Sequence, residues 1–169
     1  DKAIDALERM DTMITEILTL SKQGQTVQNP ESVRFYPAVR RAWDQVETND
    51  ATLSLGNPTE SFTITADPMR FEELLSNLFR NAVEHGEDGI EVTVGRLPEC
   101  GGFYVADDGP GIDVEPPNRI FNTGFTTSTE GTGFGLTIVE QIAHAHGWVV
   151  SVGAADDGGA RFEFITNSA

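Results

Sequence analysis

Asp67-Pro68-Met69-Arg70-Phe71-Glu72-Glu73-Leu74-Leu75-Ser76-Asn77-Leu78-Phe79-Arg80-Asn81-Ala82-Val83-Glu84-His85-Gly86 is the stretch on which the architecture turns. Asp67 is a capping residue and Pro68 suits the first helical position, so a helix starts here and stops at Gly86. Phe71, Leu74, Leu75, Leu78 and Phe79 fall at helical spacing and form a buried stripe. Asn77, Asn81 and His85 follow each other at i, i+4 and i+8, on a second, polar stripe. Asparagine is a poor residue mid-helix, so the pair is there either as plain solvent-exposed surface or to face something polar. An amide oxygen is also a suitable ligand for a hard cation such as Mg²⁺, which usually keeps several waters and shares phosphate oxygens.

On either side of this helix the chain alternates. Thr52–Leu55 and Phe62–Thr65 read as half-buried strands around a Gly56-Asn57-Pro58 turn. A short helix near Pro37 turns Val39, Ala42, Trp43 and Val46 inward. Beyond Gly86, strands at Ile90–Arg96 and Gly102–Ala106 lead to a Gly-, Pro- and Thr-rich loop from Asp107 to about Gly133. Loops of that length are usually functional or disordered. A helix over Gly135–His146 and strands at Trp148–Val152 and Arg161–Ile165 complete the pattern. The fold class is therefore α+β, a two-layer sandwich with helices on one face of a mixed, mostly antiparallel sheet. Residues 3 to about 22 form a separate N-terminal helix with Ile4, Leu7, Met10, Ile14, Ile17 and Leu18 in one stripe, suited to a coiled-coil seam or to packing on its own domain. Gly24, Gln25 and Asn29-Pro30 end it in a linker.

Composition excludes several classes. Of 169 residues, 27 are acidic and 11 basic, a net charge of −16 that opposes binding to nucleic acid or anionic lipid. Lysine occurs only at Lys2 and Lys22, so neither a P-loop nor the strand lysine of the protein-kinase fold is available. Acid excess combined with scarce lysine points to adaptation to a high-salt cytoplasm. One cysteine, Cys100, rules out an internal disulfide and fits a reducing compartment. No apolar run approaches a bilayer span, and the charged stretch Asp1–Met10 does not read as a signal peptide.

Two further motifs carry chemistry. Val105-Ala106-Asp107-Asp108-Gly109-Pro110-Gly111-Ile112 ends a hydrophobic strand in a carboxylate and then turns through glycines. Such a carboxylate can accept a hydrogen bond from a purine exocyclic amine, and glycines let the backbone approach a flat ring. The same residues would also serve an ordinary tight turn. Gly131-Thr132-Gly133-Phe134-Gly135-Leu136 opens a helix, where exposed N–H groups and the helix dipole make an anion site without lysine. Its GxGxG spacing, after a loop rather than a strand, is not the dinucleotide-binding fingerprint.

Taken together, the motifs resemble the boxes of the sensor histidine kinase catalytic domain. Asn77-x-x-x-Asn81 resembles the N box and Asp107-Asp108-Gly109-Pro110-Gly111 the G1 box. Arg119-Ile120-Phe121-Asn122-Thr123-Gly124-Phe125-Thr126-Thr127 looks like the F box, and Gly131–Leu136 like the G2 box. The resemblance covers about residues 35–166 and implies the Bergerat ATP-binding sandwich, with ATP and Mg²⁺ as cofactors. It makes Asn77 and Asn81 the catalytic pair, with Asn81 as Mg²⁺ ligand, and gives Asp107 the adenine amine. Arg80 and His85 become phosphate or ribose contacts. Gly109, Gly111, Ile112, Phe121, Phe125, Thr126, Thr127, Gly131, Thr132, Gly133, Phe134, Gly135 and Leu136 complete the ATP site, with a lid at about 113–130 anchored by Phe121 and Phe125.

Hydrolytic members of that superfamily carry a glutamate base where this chain has Asn77, which implies phosphoryl transfer to a histidine rather than to water. The alternatives are a superfamily ATPase and a nucleotide-switched interaction module. The resemblance also makes residues 1–25 the second helix of a dimerisation hairpin, 26–34 a linker and 35–169 the catalytic domain. The phosphoacceptor is none of His85, His144 or His146, the latter two suiting a surface or capping role at a helix end. Implied partners are a homodimer in the intact kinase, a phosphoacceptor histidine helix and a response regulator, but no nucleic acid. The domain is implied to be cytoplasmic, in a protein either membrane-attached or soluble. Gly158-Gly159-Ala160-Arg161-Phe162 approximates the last glycine box of the family, loosely.

Overall fold

The computed structural model describes residues 2–22, 27, 29–48, 50–56, 58, 61–85, 89–97, 101–111, 135–155 and 158–166, with residues 16–22 and 85 described by backbone alone. The elements run α1 (Lys2–Lys22), β1 (Glu31–Arg34), α2 (Phe35–Asp44), β2 (Thr52–Gly56), β3 (Thr63–Ala66), α3 (Pro68–His85), β4 (Glu91–Leu97), β5 (Gly102–Asp107), α4 (Gly135–Ala145), β6 (Val149–Ala154) and β7 (Ala160–Ile165).

β2, β4, β5, β7 and β6 form one sheet in that spatial order. The β2–β4 pair is parallel, with α3 lying in the connection between them, and every other pair is antiparallel. Along β7 the residues alternate between buried and half-buried, as expected where one face meets a core and the other does not. Val92, Val94, Phe103, Val105, Phe162 and Phe164 point from the sheet into a core completed by α2, α3 and α4. Phe103 sits at its centre, stacked on Phe164 at 4.6 Å and 11° and edge-on to Phe71 at 5.6 Å. Aromatic side chains bury 150–250 Å² each as a class, so such a cluster dominates the apolar driving force. Helices on one face of a mixed sheet are the α+β sandwich expected from the sequence.

α3 begins as the capping chemistry predicts. Oδ1 of Asp67 accepts the N–H groups of Met69 at 3.1 Å and Arg70 at 3.3 Å. α4 ends in a Schellman motif: Gly147, at φ 75°, donates to the His144 carbonyl, and Trp148 donates to the Ala143 carbonyl at 2.9 Å. The motif turns the chain so that Trp148, almost fully buried, packs on Phe71 and Phe103.

Residues 31–34, read from the sequence as linker, form β1, which pairs antiparallel with β3 in a small separate sheet. Only Val33 of β1 is buried, so the segment carries almost no periodic signal. β3 was expected as a strand, but its partner is β1 rather than the main sheet. α1 leaves Ile4, Leu7, Met10, Met13 and Ile14 between 39% and 64% exposed, so this part of its apolar stripe is not consumed by the domain. No helix among the described residues is long and apolar enough to cross a membrane.

Candidate functional site

Asp107 is the last residue of β5, so the strand end holds its carboxylate in place. Oδ1 accepts the backbone N–H of Gly109 at 3.0 Å and that of Ala160, the first residue of β7, at 3.3 Å. Its neighbour Asp108 acts differently: Oδ1 accepts the Glu91 N–H at 2.7 Å and its own N–H donates to the Glu91 carbonyl, extending the sheet by one pairing. Gly111 adopts φ 82°, and a side chain there would press on the carbonyl oxygen of Gly158. That position therefore needs glycine on two counts, the left-handed backbone and the close approach.

The polar stripe of α3 is not plain surface. Asn77 is 5% exposed, and Nδ2 donates to the Glu73 carbonyl at 2.8 Å. Its Oδ1 accepts from Arg80 Nη2 at 3.4 Å and lies next to Gly135, where an added Cβ would be 3.3 Å from it. The N box helix thus touches the first residue of α4. At that end the unpaired N–H groups of a helix concentrate partial positive charge, and the exposed Arg80 guanidinium adds a full charge close by. One turn beyond Asn77, Asn81 is half-buried, and its side chain makes no hydrogen bond among the described residues. An amide oxygen there fits the hard-donor chemistry of Mg²⁺.

Two clusters are therefore assembled: Asn77, Arg80 and Gly135 in one, Asp107, Gly109 and Gly111 in the other. Leu136 follows Gly135 in α4 and packs partly against the core. Ile112, Phe121, Phe125, Thr126, Thr127, Gly131, Thr132, Gly133 and Phe134 lie outside the described residues, as do Cys100 and the whole of 113–130. His85 closes α3 in backbone, and its side chain is not described.

Two residues outside the expected site pack against these elements, Gly159 of the loose last glycine box and His146. Gly159 presses so closely on Asp107 that an added Cβ would overlap the Asp107 carbonyl and approach Oδ1 to 2.7 Å. His146, expected at a surface or as a cap, is partly buried against Trp148, with ring centroids 4.4 Å apart. Its Nε2 accepts the Asp67 N–H at 3.0 Å, tying the end of α4 to the start of α3.

Comparison with known proteins places this geometry. Residues 66–168 match the family described as histidine kinase-, DNA gyrase B-, and HSP90-like ATPase, and the chain belongs to that family. It is 40% identical to the sensor histidine kinase ZraS of Klebsiella oxytoca over 93% of this chain and 35% of the relative. With the sensor protein kinase PilS of Pseudomonas aeruginosa it shares 27% identity over 94% of this chain and 31% of the relative. The chain thus spans about a third of the length of these curated relatives. Among solved structures, full-length ShkA in complex with AMPPNP superposes with a TM-score of 0.71 at 26% identity, over 99% of this chain and 38% of that one. The catalytic domain of histidine kinase ThkA gives 0.65 at 25% identity, over 81% of this chain and 94% of that one. The α+β sandwich is accordingly the Bergerat fold of histidine kinase ATP-binding domains, as the motifs implied.

Proposed function

We propose that this chain is the Mg·ATP-binding catalytic part of a two-component sensor histidine kinase, which in the intact protein transfers the γ-phosphoryl group of ATP to a histidine on another segment. The observation that carries the reading is the contact of Asn77 with Gly135, which joins the helix bearing both asparagines to the helix start suited to phosphate. Asp107 accepts the adenine amine, while Gly109 and Gly111 let the backbone lie against the ring. The start of α4 and Arg80 hold the phosphates. His85, Ile112, Phe121, Phe125, Thr126, Thr127 and Gly131–Leu136 complete the enclosure, with 113–130 as its lid.

Asn81 would hold Mg²⁺, which, when bound, neutralises charge on the phosphate oxygens. The acceptor histidine nitrogen attacks the γ-phosphorus, the bond to the β–γ bridging oxygen breaks, and ADP leaves. Catalysis is then mainly positioning and charge neutralisation. Asn77, where hydrolytic relatives are expected to have a carboxylate base, leaves the described site without a group to activate water. The exposed stripe of α1 supports a role as the second helix of a dimerisation hairpin, with the catalytic domain beginning at β1. A homodimer, a response regulator and a salt-adapted surface belong to the same proposal.

The test is phosphoryl transfer from labelled ATP to the hairpin segment of the intact protein, added as a separate polypeptide. Label on histidine, abolished by Asn81→Ala or Asn81→Asp, is expected. Steady release of inorganic phosphate by this chain alone, with no labelled hairpin, would favour the ATPase alternative.

A further inference from the structure

Among the described residues, the hairpin between β6 and β7 touches the turn after β5, and the contact is reciprocal. Gly159 lies against the Asp107 carbonyl so tightly that any side chain would overlap it, and Gly111 lies against the carbonyl of Gly158. Between these two contacts, the Ala160 N–H reaches across to Asp107 Oδ1, opposite the Gly109 N–H from the turn itself. The turn after β5 and the turn before β7 thus meet through two glycines and are joined by the Ala160 hydrogen bond. The hydrogen bond ends on the carboxylate.

We propose that Gly159 is a positioning residue for base selection: by admitting β7 against Asp107 it fixes the carboxylate in the orientation that accepts the exocyclic amine of a purine. This rests on Asp107 reading the adenine amine, as proposed above. A carboxylate on a flexible arm could swing to other donors or to water and would discriminate poorly. One whose oxygen is pinned by N–H groups from two different segments keeps one orientation, so the amine of a bound purine meets it at one fixed place. At Gly159 the backbone itself does not require glycine, because its φ is not in the left-handed region, so the requirement is steric.

A matched control exists in the same strand pair. Gly102, at the opposite end of β5, would also overlap backbone if given a side chain, there the Phe164 carbonyl of β7. Both substitutions push β5 and β7 apart, and only one does so beside the carboxylate.

The experiment compares binding of ATP and of purine riboside triphosphate, which lacks the exocyclic amine, to the wild-type chain, Gly159→Ala and Gly102→Ala. The wild type is expected to prefer ATP by about tenfold or more, the value of a hydrogen bond to a charged group. Gly159→Ala loses that preference by weakening ATP binding alone, whereas Gly102→Ala lowers the unfolding midpoint and keeps the preference. Gly158→Ala perturbs the same turn more gently, because its φ of 95° disfavours a side chain although the added methyl meets nothing. It is expected to give an intermediate preference, and it serves if Gly159→Ala does not fold. A wild type without preference would overturn the reading of Asp107 itself. A wild-type preference retained in both Gly159→Ala and Gly158→Ala would overturn the positioning role and leave that reading standing. Parallel loss of both nucleotides would show a merely structural glycine and overturn it too.

Discussion

The backbone N–H of Asp67 donates to Nε2 of His146 at 3.0 Å, across 79 positions of sequence. Because Nε2 accepts, it carries no proton, and Nδ1 donates to the Ile142 carbonyl at 2.7 Å. The imidazole is therefore the neutral Nδ1–H tautomer, stacked near Trp148 and joining the C-terminal end of α4 to the cap of α3. Burial holds its pKa below the ordinary 6.5, against the upward pull of the Ile142 carbonyl and the Asp67 carboxylate, and Arg70 lowers it further.

A depressed histidine pKa has a definite sign. The unfolded chain takes up the proton first, so the stabilisation is complete above about pH 6.5 and is lost as pH falls through the lower, folded value. His146→Leu keeps apolar packing on Trp148 and leaves the Asp67 N–H unpaired, which is expected to cost about 1–2 kcal/mol near pH 7.5. Urea unfolding at several pH values should show a stability decrease below pH 6.5 that is steeper in the wild type than in the variant. Equal slopes would mean that His146 does not titrate on unfolding as described.

Asn81 offers the cleaner test of the two asparagines. Asn77 is buried and hydrogen-bonded at both ends of its amide, so Asn77→Ala is expected to cost about 1–3 kcal/mol of stability as well as affinity. Asn81→Ala removes a half-buried amide with no partner among the described residues, and its unfolding free energy should stay within about 0.5 kcal/mol of wild type. Only the Mg²⁺-dependent increment in ATP affinity should disappear. An increment that survives in Asn81→Ala would remove this residue from the metal site.

Phe103→Ala empties the middle of the aromatic cluster, where the ring is fully buried between Phe35, Phe71, Trp148 and Phe164. The expected loss is about 3–5 kcal/mol by chemical denaturation. A loss below about 1 kcal/mol would mean that the helices and the sheet do not meet there.

With 27 acidic against 11 basic residues, self-repulsion destabilises the compact chain in dilute buffer and is screened by salt. The melting temperature should rise as potassium chloride is raised from low millimolar to molar concentration. A chain most stable in dilute buffer would contradict salt adaptation.

Much of this is legible in the sequence alone. Asp67-Pro68 marked the start of α3 because capping is local chemistry, and the stripe Phe71 to Phe79 marked its buried face because helical periodicity is local too. Asp107 was readable at a strand end for the same reason. What escaped was long-range. β1 offers one buried residue in four, and its partner β3 lies some thirty positions away, so neither propensity nor period exposes it. Gly159 was readable only as part of a loose glycine box, since nothing in its neighbours reveals that Asp107 packs against it. His146 looked like a helix-end residue because its acceptor role depends on a backbone amide that only the tertiary fold delivers. Asn77 and Asn81 had identical sequence signatures, and only the fold separates the buried, hydrogen-bonded amide from the half-buried one.

Calorimetric titration of the chain with ATP in high potassium chloride, with and without Mg²⁺ and alongside Asp107→Asn, tests the nucleotide site most directly. Micromolar-range binding that strengthens with Mg²⁺ and is lost in Asp107→Asn is the expected result. Absence of binding by a chain shown to be folded, or equal binding by Asp107→Asn, would contradict it.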